Sequence, residues 1–493
     1  MTFMLSGCQV KTHNMNAMLQ VLHISAECYP AAKTGGLGDV VGSLPKYMTR
    51  AGVLTGAILP KYGTSWIRGR EWITVFSGAV RVHDWHCPFQ IQQEKGDTLG
   101  YPLFVVDAPD LFSSQEIYGV GDEVERALVF QQAVIKWIQS FPEKPKVLHC
   151  HDHHTALIPW MINHCPEYSD LHWMPTVFTI HNGQYQGAFS WSHNGKKLPY
   201  FNQSGREIID YNGVINPMAS AIKQAWAVTT VSNSYLQELH ENSLGLEPLF
   251  NKEWKKQSGI INGIDAQVWN PKTDPMLPVK LTDNVGQFKW ENKKELLSNF
   301  QLNADLPLFA FIGRLVGEKG ADLLPEVLRR YIHSGGRMAF LMLGSGDSHT
   351  ENEFKQLKYQ YPGLIDCYIG YNESLSHLIY AGADFLIMPS RVEPCGLNQL
   401  YSMRYGTIPI VHAVGGLKDT VSDLDNPNGR GICFHNLSAG EISNAIHRAA
   451  HVWYNNPDSI RYIRDRIMAI DFSWESAIGN YFSIYRRFAR IDA

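Results

Sequence analysis

Short apolar runs bounded by turn residues recur along this chain, and amphipathic stretches separate them. In the first half the runs fall at 21–25, 54–59, 103–106, 147–150, 176–180 and 227–231, with helical patterns at 40–48, 124–140 and 219–225. Continuous apolar strands alternating with helices predict a parallel sheet covered on both faces. Residues 266–306 are polar, carry Pro271, Pro275 and Pro278, and read as a connector with one helix near 291–300. The pattern then restarts. Strands are predicted at 308–312, 338–343, 365–369, 385–388 and 408–411, with helices at 322–333, from about 352, at 374–381, from about 396 and from about 418. The fold class expected is α/β, with two doubly wound Rossmann-like domains facing each other across a cleft onto which strand carboxyl ends open. The division expected is a polar extension over 1–18, a first half over 19–258, a second over 259–473, and a closing helix over 474–493. No short repeat or low-complexity segment interrupts it.

Length agrees, since 493 residues exceed what one compact core sustains. With 44% hydrophobic and 18% charged residues the mix is that of a globular protein. The net charge of −4 leaves no electrostatic footprint for nucleic acid or an anionic membrane, so a phosphorylated ligand must rely on local cations. No apolar run approaches the ~20 residues of a membrane span. The eight cysteines include no C-x-x-C pair, which favours a reducing, cytoplasmic compartment. Leu5-Ser6-Gly7-Cys8 resembles a lipoprotein cleavage box, but four preceding residues cannot supply a charged region and an apolar one. Met15 or Met18 would serve equally as a start. Thirteen Trp and twenty-two Tyr suit sugar binding, although core packing accounts for most such residues.

Four local sequences point to chemistry. Lys33-Thr34-Gly35-Gly36-Leu37-Gly38-Asp39 joins a strand to a helix, where backbone N–H groups, the helix end and Lys33 could meet an anion. A tight turn without a ligand reads equally well. Gly313-Arg314-Leu315 with Lys319-Gly320 places two cations near a strand end; two solvated surface cations are the alternative. Pro389-Ser390-Arg391-Val392-Glu393-Pro394-Cys395-Gly396-Leu397 puts Glu393 on a loop over the cleft, beside the N–H groups of Gly396 and Leu397. Gly415-Gly416-Leu417-Lys418 is a further strand followed by glycines. Three such turns facing one cleft exceed what packing alone requires. The run His149-Cys150-His151-Asp152-His153-His154 invites a metal reading, but side chains along a strand alternate faces and are expected not to converge. No metal and no cofactor is expected, and Cys150 reads as a small core residue.

Taken in order, these sequences resemble the bacterial glycogen synthases and plant starch synthases, retaining glucosyltransferases of the GT-B fold that use ADP-glucose. The resemblance covers almost the whole chain after residue 20. It rests on Lys33–Asp39, Val106-Asp107-Ala108-Pro109, His151-Asp152, His181-Asn182-Gly183-Gln184-Tyr185-Gln186-Gly187, Asn262-Gly263-Ile264-Asp265, the Arg314 and Lys319 elements, Glu393-Pro394-Cys395-Gly396-Leu397, and Gly415-Gly416-Leu417.

The resemblance implies transfer of glucose from ADP-glucose to an α-1,4-glucan, glycogen or a malto-oligosaccharide. Arg314 and Lys319 would hold the diphosphate and Lys33 would reach it from the first half. Gly35, Gly36 and Asp39 would line the donor site, as would Asn262, Gly415 and Gly416. Glu393 would orient the glucose hydroxyls, the amides after Cys395 (Gly396, Leu397) would hold sugar or phosphate, and Tyr371 would pack on the adenine. His181 would lie beside the transferring carbon, with Asp152 and Asn182 near the sugar. Retaining hydrolases use two carboxylates about 5–5.5 Å apart; only Glu393 stands out here, which favours a front-face, oxocarbenium-like route. The resemblance further implies closure of the halves and a C-terminal helix packed on the first half; a plain cap of the second half is the alternative.

Some positions depart from the family's pattern. Gly38 stands for Ala, Val414 for Thr, and Asn398 follows the plant variant. Asn216-Pro217-Met218-Ala219-Ser220-Ala221 replaces Asn-Phe-Leu-Lys-Ala-Gly, so a Lys becomes Ala219. That segment, expected on the first half's side of the cleft, leaves acceptor handling open. The alternatives are UDP-glucose as donor, a small-sugar acceptor, or a synthase-like subunit that binds glucan without turnover.

Overall fold

The computed structural model describes residues 19–491. Among them, nine strands form the first sheet: β1 (Val21–Ile24), β2 (Thr55–Pro60), β3 (Trp72–Val82), β4 (Trp85–Glu94), β5 (Leu103–Asp107), β6 (Val147–His151), β7 (Thr176–Ile180), and, after a small β8–β9 hairpin (Asp210–Tyr211 and Val214–Ile215), β10 (Ala227–Thr230) and β11 (Gln257–Gly259). Their order is β11-β10-β7-β6-β1-β2-β5-β4-β3. β1 pairs in parallel with β2 and β6, and its four residues are fully buried, which is why three of them are aliphatic and only His23 is polar. The antiparallel β3–β4 edge is absent from the predicted runs. Its residues alternate between buried and exposed, a weaker signal than a strand covered on both faces.

The second sheet holds β12 (Leu308–Ile312), β13 (Ala339–Gly344), β14 (Ile365–Ile369), β15 (Phe385–Met388), β16 (Ile408–His412) and β17 (Ile432–Phe434), ordered β14-β13-β12-β15-β16-β17. All its pairs are parallel. Two α/β halves thus stand side by side, each with its own core of buried aliphatic and aromatic residues.

Local physics sets several helix ends away from their expected places. The connector helix spans Val285–Ser298 because Asn284 caps it, accepting the Gln287 N–H at 3.0 Å. The helix expected from 396 begins at Asn398, since Gly396 adopts φ +74° and cannot be its first turn.

Two chain crossings join the halves, and they touch. Ile264 N–H donates to Phe472 O at 2.8 Å, and Trp474 N–H returns to Ile264 O at 3.3 Å. A Cβ at Gly263 would come within 2.7 Å of the Trp474 backbone, so only glycine permits this approach. The final helix, Trp474–Tyr485, packs Trp474, Tyr481 and Tyr485 against Val21, Leu44, Tyr47, Val147 and Val177 of the first half.

Candidate active site

The facing ends of β6, β7, β12 and β15 and the loops after them form the cleft. At the end of β6, Asp152 adopts φ +55° and ψ −179°, a conformation that side-chain-bearing residues rarely hold. Such strain costs on the order of 1–3 kcal/mol and persists where surrounding contacts enforce it. Here Asp152 Oδ1 accepts the His181 N–H at 2.7 Å, tying the end of β6 to that of β7. Burial pushes the Asp152 carboxyl up to about 7, partly offset by backbone N–H groups of His181 and Asn182. His181 is buried and its imidazole is held down to about 3 by desolvation, so the ring is neutral at pH 7. Asn182 Oδ1 accepts the Gln184 N–H at 3.0 Å and shapes the following turn.

On the opposite wall, Glu393 follows β15 and is almost fully buried. Lys319 Nζ lies 2.7 Å from each of its carboxylate oxygens, and Ser390 Oγ donates to Oε2 at 2.8 Å. Arg314 follows β12, is exposed, and forms no ion pair or hydrogen bond among the described residues. The amides of Gly396 and Leu397 likewise have no acceptor among the described residues. Cys395 is buried, and desolvation pushes its thiol up to about 12, which removes it as a nucleophile. The Asn262 backbone N–H points to that sulfur, and Asn262 Oδ1 is buried without a partner among the described residues. Tyr371 is largely exposed, and its hydroxyl donates to Glu373.

The glycine turns differ from expectation in one respect, because the protein itself occupies most of their amides. Glu27 Oε2 accepts the N–H groups of Thr34 (2.6 Å) and Gly35 (3.0 Å), and Tyr118 OH donates to Oε1 at 2.7 Å. Glu238 Oε1 accepts the Gly415 N–H at 2.6 Å, and the Glu393 carbonyl accepts that of Gly416 at 3.0 Å. Gly415 and Gly416 serve close packing instead: a Cβ at either would lie 2.1 Å from the carbonyl oxygen of Glu393 or Cys395. Lys33 is also engaged, with Nζ 2.8 Å from Asp39 Oδ1. Burial opposes the Lys33 charge, yet Asp39, and Glu373 on the opposite wall, hold its ammonium above the usual lysine range. Gly36 faces Leu397, whose Cδ1 would lie 3.8 Å from a Cβ there.

Glu27, Glu238 and Glu373 are absent from the sequence-derived set, and Ser390 appears there only as part of the loop that carries Glu393. Glu27 had one visible signal, an acid between Ala26 and Cys28 directly after an apolar strand. Tyr185 OH donates to Glu318 Oε1 at 3.0 Å across the cleft, a contact between two residues 133 positions apart that local pattern cannot reveal.

The histidine run corrects another expectation. His149 and His151, two apart on β6, share a face, and with His23 of β1 their ring nitrogens lie within 4.8 Å of one another. Those nitrogens, His23 Nε2 apart, are nevertheless committed. His149 bonds Tyr485 OH at 2.7 Å and Thr179 Oγ1 at 2.6 Å, and His151 bonds His23 and His181 at 2.9 Å each. A set of lone pairs converging on one ion is not available there. Ala219 is also placed otherwise than expected: it is fully buried in the first core beside Met218 and Ile222, not on the cleft wall. Asn216 caps its helix, accepting the Ala219 N–H at 2.9 Å.

Two Rossmann-like halves, with a buried acid–cation pair at one wall of the cleft and a strained aspartate beside a histidine at the other, define a glycosyltransferase of the GT-B fold. Residues 20–252 match the starch synthase catalytic domain, and residues 292–463 match the glycosyl transferases group 1 domain. The chain is 44% identical to a glycogen synthase of Flavobacterium johnsoniae, over 95% of this chain and 98% of that one. It is 36% identical to a glycogen synthase of Thermodesulfovibrio yellowstonii, over 94% and 96%. A solved structure, the catalytic domain of starch synthase IV from Arabidopsis thaliana bound to ADP and acarbose, superposes with a TM-score of 0.87 at 32% identity, covering 96% of this chain and 99% of that one. The chain belongs to the glycogen synthase family. No helix among the described residues is long and apolar enough to cross a membrane.

Proposed function

We propose that the chain transfers glucose from ADP-glucose to the non-reducing end of an α-1,4-glucan with retention of configuration. The observation that carries this reading is the Lys319–Glu393 pair beside the unpartnered Arg314 and the open amides of Gly396 and Leu397. Cations and amides on one wall suit a diphosphate, while a buried carboxylate suits sugar hydroxyls. The starch synthase relative bound to ADP supports placing an adenine nucleotide there.

Arg314 and Lys319 would stabilise the charge that builds on the departing diphosphate, each contact being worth about 2.7–4 kcal/mol of barrier. Lys33 would join them from the first half on closure, shared with Asp39. Tyr371 would stack on the base, and Asn262, Gly415 and Gly416 would shape the floor. Gly35, Gly36 and Asp39 would line the other wall, where Asp152, His181 and Asn182 face the sugar. Cys395 would act through its backbone and the amides after it. With Glu393 held by Lys319 and Asp152 turned to the His181 N–H, departure and attack on the same face would explain retention better than a covalent glycosyl intermediate. The oxocarbenium-like centre would form beside His181, and the leaving phosphate would take the acceptor proton. The halves would divide near 259 and 473, with 1–18 as an extension. All seven cysteines among the described residues are free, which supports a reducing, cytoplasmic setting.

The test is initial rates with a glycogen primer and either ADP-glucose or UDP-glucose, with the new linkage read by NMR. ADP-glucose is expected to be preferred and the bond to be α. Preference for UDP-glucose overturns the donor assignment, a β bond overturns retention, and absence of turnover with either donor overturns the enzyme reading.

A further inference from the structure

A chain of imidazoles leads from the interior of the first half to His181. His23 Nδ1 lies 2.9 Å from His151 Nε2, and His151 Nδ1 lies 2.9 Å from His181 Nε2. All three side chains are buried. Each N···N bond holds one proton, and the middle ring, when neutral, brings only one to the two bonds, so all three rings must point their N–H groups the same way. Two arrangements satisfy this. Either His181 carries its proton on Nδ1, or it carries it on Nε2 and leaves Nδ1 bare.

The far end of the chain decides between them. His23 Nε2 is buried and has no hydrogen-bond partner among the described residues. A buried N–H without an acceptor is rarer in folded proteins, and costlier, than an acceptor left without a donor. His23 Nε2 is therefore the bare nitrogen, its proton sits on Nδ1, and the order propagates outward. His149 stacks on this chain, with ring centroids 4.3 Å from His151 and 4.7 Å from His23. It cannot substitute as a partner, because Tyr485 and Thr179 take both its nitrogens. Asp152 bonds the backbone N–H of His181 and leaves the ring alone. His181 Nδ1 has no partner among the described residues. We propose that His23 and His151 are positioning residues that hold His181 as the tautomer carrying its proton on Nδ1, so that the ring offers the cleft an N–H donor for a substrate oxygen. Burial, which holds all three rings below the usual histidine range, removes the imidazolium forms that would break the order.

The kinetic consequence rests on the glucosyltransferase reading of His181, while the tautomer itself does not. The full-length chain is labelled with ¹⁵N-histidine, and the His181 ring signals are assigned as those lost in His181→Gln. The expected spectrum shows His181 Nδ1 protonated and Nε2 bare; the reverse overturns the proposal without any turnover being measured. In the kinetic arm, His23→Leu is expected to lower kcat about tenfold with donor KM unchanged, the scale of one misdirected hydrogen bond. His23→Asn, whose amide keeps an N–H near the Nδ1 position, should return kcat to within about threefold of the parent. A folded His23→Leu chain with full kcat, or with a change in KM alone, overturns the positioning role. Absence of all turnover in the parent would refute the enzyme reading and leave the spectral result standing.

Discussion

Lys319 donates to both carboxylate oxygens of Glu393, each at 2.7 Å, so a cation assigned to the proposed diphosphate site also fixes the acid assigned to the proposed sugar site. On the proposed reading, one side chain would couple leaving-group stabilisation to sugar orientation. Lys319→Met is expected to lower kcat about 10²–10³-fold, the range seen when one such donor is removed. Lys319→Arg should recover only part of it, since a planar guanidinium presents its donors differently. ADP release with a glycogen primer measures both.

Glu27 holds the first glycine turn by accepting two of its amides. Glu27→Ala leaves those N–H groups and the Tyr118 hydroxyl without their acceptor, and about 2 kcal/mol of stability should be lost. Glu27→Gln keeps a carbonyl oxygen for the amides and should lose less than half of that. Urea unfolding distinguishes the two, and equal losses would show that the turn does not depend on this acceptor.

The glycines of the two turns differ in what they exclude. Gly416→Ala brings a Cβ within 2.1 Å of Cys395 O and should cost about 3 kcal/mol through backbone displacement, carrying Glu393 with it. Gly35 is extended at φ −150° with open space around it, and Gly35→Ala should change stability by less than about 0.5 kcal/mol. Thermal melts of the two variants check the contrast. Any activity lost in Gly35→Ala then reports on the ligand's approach.

Acid should destabilise the fold through its histidines. His23 and His181 are held down to about 3, and His149 and His151 well below the usual range, all by burial. The unfolded chain therefore binds more protons below pH 6.5, and stability falls with decreasing pH by up to about 1.4 kcal/mol per pH unit for each ring. Asp152 acts with the opposite sign. Its folded value of about 7 lies above the unfolded one, so its contribution is full below about pH 4 and is lost as pH rises to 7. Burial also lowers His153 and His154, so six rings outweigh the raised Asp152, Asp39, Glu238 and His377. Unfolding free energy measured between pH 7 and pH 5 should fall toward pH 5, and more gently in His23→Asn; a rise toward pH 5 would show that the rings are not held neutral.

Legibility followed burial pattern. β1, β6, β7, β12 and β15 were readable because strands covered on both faces are mostly apolar, whereas the β3–β4 edge, exposed on one face, was not. Lys319 and Glu393 could be named because they lie on loops that follow apolar strands, where an α/β fold opens its cleft, whereas the sugar-side placing of Asp152 and His181 came from the family resemblance. Glu27 and Glu238 could not, because nothing local says which acid will meet an amide 8 or 177 residues away.

The order of residues by itself determined two α/β halves, the ends of their central strands, and the set of charged and glycine-containing turns at those ends. The period of apolar residues and the geometry of turns are local properties, carried by neighbours in sequence. What only the tertiary structure decided is which donors remain free. It assigned the amides of the first and last turns to Glu27 and Glu238, left those of Gly396 and Leu397 open, paired Lys319 with Glu393, and placed Ala219 in the core. It also aligned His23, His151 and His181 from three strands into one hydrogen-bonded row. Hydrogen-bond capacity is finite and is allotted by proximity in space, so the partner of each polar group is fixed only once the chain has folded.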